Sequence, residues 1–144
     1  MISILSGIDQ TSAALNAERV RMDVVSQNIA NVNSMAGPGG KPYQRRQVVF
    51  EAALNAQLGG PGEEGNATQP LRIKEIQTTN RPDRLVYQPG HVNADANGMV
   101  AMPNINIHEE MIDLMSASRT YEANLNVVKT ARSMALQTLS LGKR

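Results

Sequence analysis

The chain has no cysteine and no tryptophan, one phenylalanine and three tyrosines in 144 residues. Without cysteine there is no disulfide framework, no thiolate metal site and no thiol nucleophile. With aromatics at 3% of the chain, a thick aromatic core is out of reach, and eight methionines supply part of the missing volume. Charge of one sign is also lacking: 14 basic side chains stand against 13 acidic ones, a formal net charge of +1. A near-neutral chain carries no electrostatic footprint for nucleic acid. Long hydrophobic runs are absent too, and nothing approaches the length of a membrane span. The opening MISILSGIDQ has neither the basic start nor the long apolar run of a cleaved secretory signal, so any export is expected to use a route that reads none.

The residues that carry chemistry are equally sparse. His91 and His108 are the only histidines. His108-Glu109-Glu110 imitates the start of a zinc-protease helix, but position 112 is Ile where a second His is required. Asn93-Ala94-Asp95-Ala96-Asn97-Gly98 imitates the first half of a calcium loop, yet the place of the closing bidentate carboxylate holds Asn104. That segment reads as a chain of Asx-turns ending on a glycine with positive φ. No serine sits in a nucleophile elbow, and the glycine-rich pieces at 37–40 and 59–62 lack the Lys-Ser/Thr ending of a phosphate loop. The reading is a non-enzyme with no cofactor and no metal.

What is present is helical periodicity at both ends. From Ile107 to Leu141 there is neither proline nor glycine. Ile107, Met111, Leu114, Tyr121, Leu125, Val128, Ala135 and Leu139 alternate by four and three once Ser118 and Arg132 fill two slots. This is a heptad stripe, narrower than the face a globular helix buries. Such a helix is roughly 50 Å long, against about 30 Å for a domain of this size, so it needs a partner helix. The other end offers one. Over residues 3–32, Met1, Ile8, Leu15, Met22 and Ile29 recur every seven residues, with Ile4, Thr11, Glu18, Val25 and Val32 between them. Thr11 and Glu18 weaken that second row. Glu109 and Glu110 near the start of the long helix, and Lys143 and Arg144 past its end, suit its dipole. Gly142 fits a C′ position.

Between the helices the pattern changes. Gly37-Pro38-Gly39-Gly40-Lys41-Pro42 is a breaker. Val48-Val49-Phe50 is β-prone, and Arg45 and Arg46 point to an exposed or edge strand. Residues 55–70 hold four glycines and two prolines and read as a flexible loop. Leu71–Thr79 alternates with one slip after Lys74-Glu75, a strand with a bulge. Leu85-Val86-Tyr87 is a third short strand, and 90–104 reads as extended and turn-rich. The expected fold is mainly α with a small β-rich insert, its terminal helices forming a coiled-coil-like pair. Three parts follow: an N-terminal assembly helix over 1–34, an insert over 35–105, and a C-terminal assembly helix over 106–144.

Two segments then resemble a known family. Ser26-Gln27-Asn28-Ile29-Ala30-Asn31 with Val32-Asn33-Ser34 is similar to the N-terminal motif of the flagellar rod and hook proteins. Met115-Ser116-Ala117-Ser118-Arg119-Thr120-Tyr121-Glu122-Ala123-Asn124 is similar to their C-terminal one. The middle, with Pro42-Tyr43-Gln44-Arg45-Arg46-Gln47-Val48-Val49-Phe50, Leu85-Val86-Tyr87-Gln88-Pro89-Gly90-His91 and Val100-Ala101-Met102-Pro103-Asn104, resembles the proximal-rod members. The resemblance covers nearly the whole chain and implies a structural subunit of the basal body, exported unfolded by the flagellar type III apparatus. It implies helical self-assembly in the periplasm into a torque-transmitting rod. The implied neighbours are other proximal rod proteins, the adaptor joining rod to membrane ring, and the distal rod. Another axial subunit, or a coiled-coil adaptor outside the flagellum, is the competing reading. The residues expected to carry assembly are Ile8, Leu15, Met22, Val25, Ile29 and Asn31 against Leu114, Tyr121, Asn124, Leu125, Val128 and Leu139. Asn28, Asn31 and Asn124 are expected to fix register by hydrogen bonding between subunits, and Arg119 with Glu122 to form an ion pair one turn apart.

Overall fold

A computed structural model describes residues 2–35, 40–52 and 71–142. The order is α1 (Ile2–Ala30), β1 (Arg46–Ala52), β2 (Leu71–Thr78), β3 (Arg84–Tyr87), β4 (Met99–Met102) and α2 (Ile107–Leu141). The mainly α fold with a small β insert follows the sequence reading. The loop expected at 55–70 lies outside the described residues.

α1 tolerates Gly7 because Thr11 Oγ1 donates to the Gly7 carbonyl at 2.7 Å and stiffens that turn. It ends where asparagines take over. The Asn31 amide N–H is shared between the carbonyls of Gln27 and Asn28, and the Asn31 side chain donates back to Gln27 O at 2.8 Å. Short amides of this kind compete with the helix ladder for backbone partners, so the chain turns there. α2 starts on Asn106, whose side chain accepts the His108 N–H at 3.1 Å, and carries Glu109 and Glu110 in its first turn. These are the cap and the acidic first turn a helix N-terminus favours. At the far end Gly142 keeps right-handed helical angles, with φ −77° and ψ −5°, and donates to Thr138 O. It extends the helix's own hydrogen bonding where a left-handed C′ residue was expected.

The two helices pack antiparallel along their lengths: Asn28 meets Glu110 while Arg21 reaches Asp113. α2 has 35 residues to the 29 of α1, so it outruns its partner. Every residue from Arg132 to Gly142 is exposed.

The strands form two antiparallel pairs, β1 with β2 and β3 with β4. In the first pair Val49 faces Glu75 and Phe50 faces Ile73, leaving Lys74 as the extra residue of a bulge at the expected slip. α1 packs on both strands of this pair. In the second pair β4 buries Val100 and Met102 and leaves Met99 and Ala101 half-buried. The 90–104 stretch therefore holds a fourth strand that its turn-rich composition hid. The chain between β3 and β4 is a compact turn. Asp95 Oδ1 accepts the N–H groups of Asn97 and Met99, at 2.8 and 2.9 Å, and Gly98 sits at φ +71°. The Asx-turn expected from the sequence is there, and it occupies the Asp95 carboxylate.

Gly98 cannot be replaced cheaply. A Cβ built there stands 3.1 Å from the Pro89 Cβ and the Tyr87 ring, in a φ region that side chains avoid. Gly98→Ala is expected to destabilise the chain by about 1–3 kcal/mol. Urea unfolding checks it; a midpoint equal to the parent's would contradict the strain assignment.

Candidate functional site

Among the described residues the seam between α1 and α2 is the largest packing interface, and it differs from the expected stripe in one row. On α2 the inward residues are Glu110, Leu114, Ala117, Tyr121, Asn124, Val128 and Ala131, all buried or half-buried. Leu114, Tyr121 and Val128 belong to the expected stripe. The second row is set one residue earlier, on Glu110, Ala117, Asn124 and Ala131, while Leu125 and Ser118 sit half-buried on its flank. Counting apolar residues favours Met111, but Met111 and Ile107 are exposed, as is Leu139 on the overhang. Ala117 is fully covered, and a small residue there lets the two backbones approach closely.

On α1 the buried positions are Ala17, Glu18, Val24, Val25 and Asn28. Ile8, Leu15, Met22 and Ile29 are half-buried, as is Asn31, which bonds within its own helix end. Val24 and Val25 are both inside because α1 faces α2 on one side and the β1–β2 pair on the other. Burying each valine contributes roughly 1.5–3 kcal/mol. Glu18, expected to weaken the seam, is 9% exposed and held at 3.8 Å from Arg21 Nη1.

At the base of the seam lies a polar cluster that joins all three parts of the chain. Asn28 and Glu110 are both fully buried. Asn28 Nδ2 donates to Glu110 Oε2 at 2.9 Å and to Arg46 O at 2.8 Å. Its Oδ1 accepts from the Arg46 N–H and from the Tyr43 hydroxyl, both at 3.0 Å. One side chain thus makes four hydrogen bonds, using both amide hydrogens and its carbonyl oxygen twice. Glu110 Oε1 accepts from Arg45 Nε at 2.6 Å, an ion pair with 12% of the Arg45 side chain exposed. Arg45 reaches on to Asp113 at 3.7 Å, and Asp113 meets Arg21 of α1 at 3.4 Å. The Asp113 end opens on a groove of about 270 Å³ and is wet, whereas the Glu110 end is dry. The Arg46 guanidinium lies over the Tyr43 ring at 5.7 Å. Burial raises the Tyr43 pKa above its ordinary value, opposed by nearby Arg46 and reinforced by Glu110, so the hydroxyl stays a donor to Asn28.

Sequence reasoning named Asn28 for hydrogen bonding but aimed it at a neighbouring subunit; here its partners lie in its own chain. It read Arg45 and Arg46 as exposed strand residues, and Glu110 as a dipole partner. The signal for Glu110 was its place seven residues before Ala117 and fourteen before Asn124, a row that an apolar count passes over. Arg119 and Glu122 are exposed and form no ion pair among the described residues. Also among the described residues, no three acidic or histidine side chains are grouped to hold a metal, and no helix is long and apolar enough to cross a membrane.

The seam is narrow, holds small and polar residues, and is closed at one end by a buried ion pair. Residues 10–38 match the family model described as flagella basal body rod protein, and residues 96–141 the one described as flagellar basal body rod FlgEFG protein C-terminal. Together these place the chain in the class of flagellar rod proteins. The chain is 43% identical over 142 residues to the flagellar basal-body rod protein FlgC of Yersinia enterocolitica, covering 99% of this chain and 100% of that one. It is 41% identical to the FlgC of Salmonella typhimurium over the same shares. With the FlgC of Bacillus subtilis it shares 35% identity, covering 94% of this chain and 96% of that one. The chain belongs to the FlgC family and is a structural subunit of the flagellar basal-body rod.

Proposed function

We propose that copies of this chain assemble helically into the proximal part of the rod, a periplasmic shaft that carries torque. The neighbours in this reading are other proximal rod proteins, the adaptor to the membrane ring and the distal rod. The chain is delivered by the flagellar type III export apparatus. Its role is mechanical, with no catalytic step. Residues 1–34 and 106–144 act as the assembly helices, and 35–105 as the outward insert.

The observation that carries this reading is the seam itself. Two helices of 29 and 35 residues bury only a thin stripe between them, and the last turns of the longer one leave Met134, Leu136, Leu139 and Leu141 exposed. Apolar residues left in the open along the end of a helix are what a subunit leaves for its neighbours. Stiffness then comes from many interlocked helices, each contact weak and the load shared. Ile8, Leu15, Met22, Val25, Ile29 and Asn31 on α1, with Leu114, Tyr121, Asn124, Leu125, Val128 and Leu139 on α2, carry that assembly. Leu125→Asp places a charge on the half-buried flank of the seam and is expected to abolish rod assembly while expression continues. Electron microscopy of basal bodies and a motility assay check it, and intact rods with normal motility would refute the pairing.

A further inference from the structure

The outward faces of the two helices carry charges that the chain leaves unused. On α1, Asp9, Arg19 and Asp23 are exposed on adjacent heptad rows. On α2, Arg119, Glu122 and Lys129 are exposed in the same way. Among the described residues none of the six forms an ion pair. The order of signs along α1 is minus, plus, minus, and along α2 it is plus, minus, plus. Because α1 and α2 run antiparallel within the chain, α1 of one copy also runs antiparallel to α2 of a like-oriented copy beside it.

We propose that the Asp9–Arg19–Asp23 face of α1 docks on the Arg119–Glu122–Lys129 face of α2 in the next copy, displaced along the axis by about one helical turn. The proposal rests on the rod-subunit reading and specifies the surface through which neighbours meet. Its register follows from residue numbers. Within the chain, Asn28 lies level with Glu110. Arg19 is then level with Arg119 and Asp9 with Lys129, so two copies at equal height would set one like pair and one opposite pair face to face. Sliding one copy by a turn, about 5 Å, brings Asp23 onto Arg119 and Arg19 onto Glu122. Asp9 then lies one turn from Lys129, inside the reach of a lysine stem. A further turn would set Asp23 against Glu122. The staggered register therefore makes two opposite-charge pairs, where equal height balances one like pair against one opposite pair and a further turn is repulsive.

Exposed ion pairs add little affinity one by one, but complementary charges select orientation and like charges reject wrong registers. The occupant is a second copy, since the complement of each face is found on the other face of the same chain. The contact is heterologous, one face against a different face, and such contacts propagate from copy to copy. A stagger of one turn makes the propagation helical, because the next copy never returns to the starting height.

The absence of native cysteine makes the test clean. Asp23→Cys with Arg119→Cys, supplied as the sole copy in cells, is treated with a short thiol-to-thiol crosslinker in isolated basal bodies. Asp23→Cys with Met115→Cys reports the unstaggered register. The expected result is intermolecular multimers from the 23/119 pair, severalfold above the 23/115 pair. Equal yields, a reversed preference, or no crosslink in basal bodies that contain the chain overturn the ladder and leave the rod reading standing. Absence of the parent chain from basal bodies by mass spectrometry overturns both. Charge exchange gives a second arm. Asp23→Arg and Arg119→Asp alone are expected to shrink motility halos, and the two together to restore them. A double variant no better than either single one, with helical content unchanged by circular dichroism, counts against the ladder.

Discussion

Glu110→Leu is expected to lower the stability of the folded chain by about 3–5 kcal/mol, the usual consequence of removing one partner from a buried ion pair. The leucine fills similar space, so loss of volume is not the cause. What remains is Arg45, 12% exposed, with its close carboxylate partner gone, and an Asn28 amide hydrogen facing hydrocarbon. Asp113, at 3.7 Å and in contact with solvent, offers only partial compensation. Since a whole domain is stable by only about 5–15 kcal/mol, such a loss removes a large share of the margin. The second half of the experiment separates the ion pair from the fold. Removing the opposing charge as well, by Arg45→Met in the Glu110→Leu background, is expected to recover much of the loss, because the pair's own attraction is largely offset by the desolvation of both ions. The readout is the urea midpoint by far-UV circular dichroism, at unchanged m-value. A Glu110→Leu midpoint within error of the parent would show that the cluster contributes nothing.

The second large effect is expected at Asn28. Asn28→Ala removes four hydrogen bonds and strands their partners: Glu110 Oε2, both backbone groups of Arg46, and the Tyr43 hydroxyl. Stranded buried groups cost about 1–3 kcal/mol each when no water reaches them, so a total loss of about 2–4 kcal/mol is expected after relaxation. Asn28→Asp should be worse at neutral pH although its shape is nearly unchanged. It replaces the donor that lies 2.9 Å from Glu110 Oε2 with a second carboxylate oxygen. Two carboxylates at that distance resist joint ionisation, so the introduced group takes up a proton more readily in the folded state than in the unfolded one. A folded-state pKa raised in this way gives stability that is present at low pH and lost as pH rises. The Asn28→Asp defect is therefore expected to shrink in acid while that of Asn28→Ala does not. Denaturation series at several pH values distinguish them; parallel curves for the two variants would rule out the carboxylate clash.

These two residues bear on function because of what they tie together. Asn28 belongs to α1, Tyr43, Arg45 and Arg46 to the base of the insert, and Glu110 to the first turn of α2. The cluster sets the attitude of the insert to the helix pair. In the proposed assembly, with the helices forming the shaft, that attitude fixes where the insert stands.

The long helices were legible because their signals are local. A stretch without proline or glycine, an asparagine cap and a heptad rhythm depend on neighbours in sequence, and α2 runs over the span Ile107–Leu141 that those signals mark. The bulge at Lys74 and the Asx-turn closed by Gly98 were legible for the same reason: alternation, its one slip, and short polar side chains act within a few residues. β4 was not, since four apolar residues after a turn become a strand only when β3 pairs with them. The inner row of α2 was misplaced by one residue, a rotation of about 100° about the helix axis. An apolar count rewards Met111 and Leu125 and cannot see that the close approach of α1 requires Ala117, or that Arg45 and Asn28 draw Glu110 inside.

By itself, then, the sequence determined that this chain is two long helices around a small insert, that it carries no catalytic or metal-binding pattern, and to which family its terminal motifs belong. Those properties rest on short-range periodicity and on composition. Only the tertiary structure decided which face of α2 is turned inward, that Asn28 fixes contacts within its own chain, and that Arg45 is a buried partner of Glu110. Each of those depends on groups 18 to 82 residues apart in the sequence meeting where water is excluded, and no local pattern encodes that meeting.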